Sequence, residues 1–130
     1  STHTGNPVCV AASLASIDII EREGLVENAR RVGDKLHEGL QGLMQRHPEV
    51  GDVHGKGLVA GLHIVKEGSN EPDKERAFGI VEGSMEKGLL FFSPVGFGGG
   101  TIKICPPLNI NEDAIGDGLK ALEDAMGEVR

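Results

Sequence analysis

The sequence contains no tryptophan and no tyrosine, and four phenylalanines supply its entire 3% of large aromatic residues. Aromatic side chains contribute much of the buried area in most cores, so a core built from this chain must be aliphatic. A chain of 130 residues amounts to one domain, which can bury about two-thirds of its unfolded surface. We therefore expect one core of branched aliphatic side chains.

Basic residues are also few. The 13 lysines and arginines are outnumbered by 20 aspartates and glutamates, which gives a net charge of −7 and a pI near 5.2. A nucleic-acid-binding surface needs clustered basic residues. We therefore expect no nucleic-acid partner.

Cysteine and long apolar runs are scarce as well. Cys9 and Cys105 both lie in apolar stretches and are too few for a disulfide framework, which fits a reducing compartment. No stretch is apolar for long enough to span a bilayer, and none has the pattern of a signal peptide. These features predict a soluble, acidic, cytoplasmic protein with no membrane partner.

The first predicted helix is apolar on nearly every side. Asn6 suits its N-cap, Pro7 suits its first turn, and Gly24 is typical of the residue just past a helix end. Between them, residues 8–20 carry apolar or small side chains almost throughout. Such a helix is normally buried on more than one side. This helix is too apolar for a lone domain of this size, so we expect it to pack against another domain or subunit.

Helical and strand patterns alternate along the rest of the chain. A second helix ends near Pro48, two short strands flank the turn "GKG", and a third helix stops at Gly88. "LLFF" and "TIKIC" are strand-like, "SPVGFGGG" between them is typical of a flexible loop, and Asn111 suits the cap of a last helix. The predicted buried stripes are Leu25, Ala29, Val32, Leu36, Leu40 and Leu43; Ala77, Phe78, Val81 and Met85; and Ile115, Leu119, Leu122 and Met126.

This order of elements predicts an α+β fold. A small, mainly antiparallel sheet with helices packed on one face would bury all of these stripes together. The long apolar helix precedes that unit in the chain.

Hydroxyl groups stand directly before the first helix. Thr2, Thr4 and Gly5 precede a helix N-terminus, where unpaired N–H groups and the helix dipole favour an anion such as a phosphate. Taken alone, the same residues are more typical of ordinary helix capping.

Four segments together resemble a known family. "STHTGNPVCVAASLASIDIIEREGLVENA", "GDVHGKGLVAGLHIV", "KGLLFF" and "TIKICPPLNINEDAI" resemble, in this order, the closing part of class III aminotransferases. These are pyridoxal 5'-phosphate enzymes of fold type I that include 4-aminobutyrate and ornithine aminotransferases. The resemblance implies that residues 1–24 form a phosphate-loop segment and an interdomain helix, and that residues 25–130 form the C-terminal small domain. It also implies two partners, a large cofactor-binding domain and the second subunit of a homodimer.

The resemblance assigns roles to two residues. In this family the threonine before the "GNP" segment donates to the cofactor phosphate in the neighbouring subunit's site, and Thr2 holds that position. Helix capping remains the interpretation of Asn6. An arginine on the strand before "PPL" pairs with the substrate carboxylate in the family, whereas this chain has Lys103. Lysine is a point charge without a planar bidentate grip, so a carboxylate contact, a different anchor with amine-type donors, and a merely solvated lysine all stay open.

The residues that the family uses for catalysis are not matched in this chain. Pyridoxal chemistry needs a lysine that forms an imine with the cofactor and an acid at the pyridine nitrogen. In the resembling family both lie upstream of the "GNP" segment, and none of the seven lysines here has a matching context. We therefore expect no catalytic residue in residues 1–130 and no transamination by this chain alone. The function implied for the whole enzyme is amino transfer from an amine or ω-amino acid, of the 4-aminobutyrate or ornithine kind, to a 2-oxo acid.

Two alternatives remain open at this stage. The chain could be a free-standing, non-catalytic interaction module with the same fold, or part of a decarboxylase or aminomutase of the same superfamily.

Other patterns point to structure rather than chemistry. The histidines and cysteines lack metal-ligand spacing, and "GFGGG" opens no helix, so we expect a mobile hairpin loop near the substrate entrance. The turn that follows His54 is interpreted as structural, with backbone freedom at Gly55 and Gly57 and an exposed Lys56. His63 alternates with apolar residues, which predicts a partly buried histidine with a hydrogen-bond partner.

Overall fold

The computed structural model describes Thr2 and residues 4–129. These residues form an α+β fold, as predicted from the sequence. The elements in chain order are helices α1 (Pro7–Arg22) and α2 (Leu25–Arg46), strands β1 (Val50–Lys56) and β2 (Val59–Ile64), helix α3 (Lys74–Glu86), a 3₁₀ turn (Phe97–Gly99), strand β3 (Thr101–Ile104) and helix α4 (Glu112–Glu128). Among the described residues, no helix has both the length and the apolar character needed to cross a bilayer.

The three strands form one antiparallel sheet in the order β1, β2, β3. Helix α2 packs mainly against β1, α3 packs against β2 and β3, and α4 packs against α2 and α3. Because side chains alternate between the two faces of a strand, the helices take one set and leave the other set on an open face. This confirms the predicted arrangement of helices on one face of a small sheet.

The core is aliphatic throughout. The stripe predicted for α2 is buried at Val32, Leu36, Leu40 and Leu43, and the sheet adds Leu62 among others. The buried hydrophobic residues are Val32, Leu36, Leu40, Leu43, Val50, Val53, Leu58, Ala60, Leu62, Ile64, Val65, Ala77, Ile80, Val81, Ile102, Ile104, Ile115, Leu122, Ala125 and Met126.

Glycine is required where α2 crosses the turn between β1 and β2. Gly57 has a φ of +57°, a conformation that side chains other than glycine rarely adopt. A Cβ at Gly33 of α2 would lie 2.4 Å from the carbonyl carbon of Gly57, so the helix can approach only without a side chain there. His37 Nε2 lies 3.1 Å from the Gly57 carbonyl oxygen and ties the turn to the same helix. The structural interpretation of this turn is confirmed.

The predicted strand "LLFF" is wrong. Residues 89–92 have no strand pairing, and the segment between α3 and β3 pairs with β3 only at an isolated bridge between Val95 and Thr101. Leu89 and Phe91 pack against the core, whereas the alternate residue Leu90 is 75% exposed. The apolar segment 89–92 therefore packs every second side chain against the core without forming the hydrogen-bonded ladder of a strand.

The predicted stripe of α3 needs correction. Phe78 is 45% exposed and Met85 is 51% exposed, whereas Ile80 and Ser84 are fully buried. The buried residues of α3 are Ala77, Ile80, Val81 and Ser84, which have the spacing i, i+3, i+4, i+7 of one helix face. The predicted stripe with Phe78 and Met85 is a neighbouring face of the same helix. Ser84 tolerates burial because its hydroxyl donates a 2.7 Å hydrogen bond to the carbonyl of Ile80.

Two helix glycines provide a matched test of this packing. Gly33→Ala should lower the free energy of unfolding by about 1–3 kcal/mol, because the new methyl group overlaps the backbone of Gly57. Gly116→Ala in α4 faces open space and should raise it by about 0.5–1 kcal/mol, since alanine favours the helix. Urea denaturation followed by circular dichroism measures both. Equal shifts in the two variants would contradict the close approach.

Candidate functional site

Thr2, Thr4 and Gly5, which precede α1, are turn residues. Thr2 and Thr4 are exposed, and Gly5 has a φ of +79° that turns the chain into the helix. Asn6 caps α1, because its Oδ1 accepts hydrogen bonds from the amides of Val8 at 2.9 Å and Cys9 at 3.4 Å. The capping interpretation of Asn6 is therefore confirmed.

Helix α1 has no buried residue. Val8 is 77% exposed and Leu14 is 63% exposed, and Ile17 and Ile19 are exposed as well. Helix α2 is its only neighbour among the described elements for which more than marginal contact is found. An apolar surface of this kind is typical of an interface rather than of a surface that faces water.

Two serines on α1 satisfy their own hydroxyls. Ser13 donates to the carbonyl of Cys9 at 2.8 Å, and Ser16 donates to the carbonyl of Ala12 at 2.9 Å. Because these donors are already engaged within the helix, a neighbouring body could pack closely on α1 without leaving a hydroxyl unsatisfied.

The open face of the sheet carries the polar side chains. Its middle row consists of His54 on β1, Gly61 on β2 and Lys103 on β3, which are paired across the strands. Lys103 is exposed, between the buried Ile102 and Ile104. The structure therefore places Lys103 on the side of the sheet that the helices leave open.

The next row on the open face consists of Asp52, His63 and Thr101. His63 Nδ1 lies 3.0 Å from the Thr101 hydroxyl, and the side chain is partly buried. This confirms the interpretation of His63 as a histidine with a hydrogen-bond partner. Asp52 Oδ2 lies 3.0 Å from Nδ1 of His54, a contact between the two rows that the sequence did not reveal.

The segment that follows β3 is held against α2. Asn28 Nδ2 donates to the carbonyls of Leu108 at 2.7 Å and Ile110 at 3.0 Å, and Glu112 at the start of α4 forms an ion pair with Arg31. These bonds tie the segment between β3 and α4 to α2, a long and well-packed helix.

An apolar cavity of about 310 Å³ lies between α2, α4 and residues 89–92. Its walls are mainly aliphatic and aromatic side chains together with Pro106 and Pro107, and among the described residues Lys103 is the only charged one that lines it. Thr2 is not part of this cavity. Because β3 is an edge strand, Lys103 borders this cavity as well as the open face of the sheet, whereas Thr2 lies before α1.

Comparison with known proteins agrees with this architecture. The family model described as aminotransferase class III matches residues 1–126. The chain belongs to the class III aminotransferases.

Relatives of this class III chain are larger proteins with several reactions. The taurine–pyruvate aminotransferase of Bilophila wadsworthia is 38% identical over 99% of this chain and 29% of its own length. The isoleucine 2-epimerase of Lentilactobacillus buchneri is 36% identical over 98% of this chain and 28% of its own length. The chain therefore spans less than a third of the length of these relatives.

Solved structures show the same fold. An amine transaminase from an uncultivated Pseudomonas species, in its pyridoxal-phosphate-bound internal aldimine form, superimposes with a TM-score of 0.90 and 35% identity. The superposition covers 100% of this chain and 29% of that chain. The predicted α+β small-domain fold is therefore confirmed at the level of the whole described chain.

Proposed function

We propose that this chain forms the interdomain helix and C-terminal small domain of a pyridoxal-phosphate-dependent aminotransferase. The enzyme would transfer an amino group from an amine or ω-amino acid, of the 4-aminobutyrate or ornithine kind, to a 2-oxo acid. The observation that supports this most directly is the family match along residues 1–126, together with a first helix that its own chain leaves uncovered. Residues 1–24 would belong to the junction and residues 25–130 to the small domain.

The residues before α1 fit the phosphate end of pyridoxal 5'-phosphate. Asn6 already accepts from the amides of Val8 and Cys9, so an anion would be held by a side-chain hydroxyl rather than by these two amides. Thr2 supplies such a hydroxyl in an exposed turn, and α1, whose N-terminus carries the positive end of the helix dipole, begins five residues later in the chain. When bound, the cofactor would supply the electron sink for amino transfer. Thr2 would anchor its phosphate from the neighbouring subunit.

Two of the seven lysines, Lys66 and Lys87, are unsuited to an imine-forming role. An imine-forming lysine must lose its proton, yet Lys66 Nζ lies 2.6 Å from Glu71 and Lys87 Nζ lies 2.8 Å from Glu128. These carboxylates raise the pKa of both lysines through hydrogen bonds and charge attraction, which keeps them protonated. We propose that the imine-forming lysine lies outside residues 1–130 and that this chain alone does not transaminate.

The apolar surface of α1 indicates the partners. It consists mainly of Val8, Val10, Leu14, Ile17 and Ile19. We propose that the large cofactor-binding domain and the second subunit of a homodimer cover it. A free-standing interaction module would instead need to keep this surface soluble by itself.

A second reaction is favoured by one specific observation. The relative named isoleucine 2-epimerase is nearly as similar to this chain as the taurine–pyruvate aminotransferase. Because the cofactor carries the chemistry, one scaffold can support amino transfer, epimerisation, decarboxylation or an aminomutase reaction.

Incubating the enzyme with a single chiral amino acid distinguishes epimerisation from amino transfer. Inversion without a 2-oxo acid would favour an epimerase, whereas dependence on a 2-oxo acid would favour amino transfer.

The uncovered helix makes a prediction for the isolated chain. The 130-residue chain should self-associate, because the apolar face of α1 is exposed to water. Leu14→Glu with Ile17→Lys should shift it toward the monomer in sedimentation velocity. Val59→Lys provides a control on an exposed apolar residue of the sheet. A wild-type chain that stays monomeric at high concentration would favour the interaction module.

The proposed phosphate contact makes a second prediction. In the full-length enzyme, Thr2→Ala should weaken binding of pyridoxal 5'-phosphate by about 1–3 kcal/mol, the cost of losing a hydrogen bond to a charged group. Thr4→Ala, in the same exposed turn, should leave the affinity nearly unchanged. Cofactor titration followed by absorbance measures both. Unchanged affinity in Thr2→Ala would remove this residue from the phosphate site.

Lys103 makes a third prediction. We propose that it contacts the substrate, so Lys103→Ala should raise KM for carboxylate-bearing donors more than for simple amines. Lys103→Arg should retain the preference, because guanidinium adds a bidentate grip on a carboxylate. Lys56→Ala, an exposed lysine on the neighbouring hairpin, is the control. Steady-state kinetics that show equal effects on both donor types would make Lys103 a scaffold residue.

A further inference from the structure

We draw no further inference here: the strongest candidate, the apolar cavity between α2, α4 and residues 89–92 at the free edge of β3, carries none because nothing in the described part of the chain shows what covers it.

Discussion

The rest of the structure depends on the packing of helices α2 and α3 against one face of a three-stranded sheet, with α4 packed on both helices. Leu40 of α2, Leu62 of β2 and Ile102 of β3 are fully buried at this contact. Aliphatic burial is the main stabilising term in a chain with so few aromatic residues. Since side chains alternate along a strand, burying Ile102 and Ile104 necessarily turns Lys103 to the opposite face. The core thus determines where the candidate binding face lies.

The same core leaves α1 outside. Helix α2 uses its apolar stripe for the sheet and for α4, so it can cover only a small part of α1. Asn6 caps the uncovered helix and Thr2 precedes it by five residues, so the proposed phosphate contact lies close in the chain to the proposed interface. An anion held there would lie at the boundary between this domain and its neighbours, as expected for a cofactor shared between parts of an enzyme.

The candidate site could be predicted only in part. The exposed Lys103 follows from strand alternation and from the buried neighbours on both sides of it. The capping role of Asn6 follows from its place before Pro7, and the structure bears it out through the bonds to the next amides. The orientation of His54 could not be predicted, because it depends on Gly61 of another strand and on Asp52 at a bulge in β1. The position of the ring could have been inferred from the pairing of His54 with Gly61, but that pairing is known only once the register between β1 and β2 is known.

Local periodicity and the chemistry of single residues were enough to establish the helices, their caps, the aliphatic core, the one-sided sheet and the excess apolar surface of α1. These properties depend on neighbours within a few positions along the chain. Tertiary contacts alone decided that residues 89–92 pack without pairing, that α3 buries Ser84 rather than Met85, and that the ring of His54 lies over Gly61. In each of these cases two local arrangements were compatible with the sequence pattern. The choice between them rests on shape and hydrogen bonding between segments that are far apart in the chain.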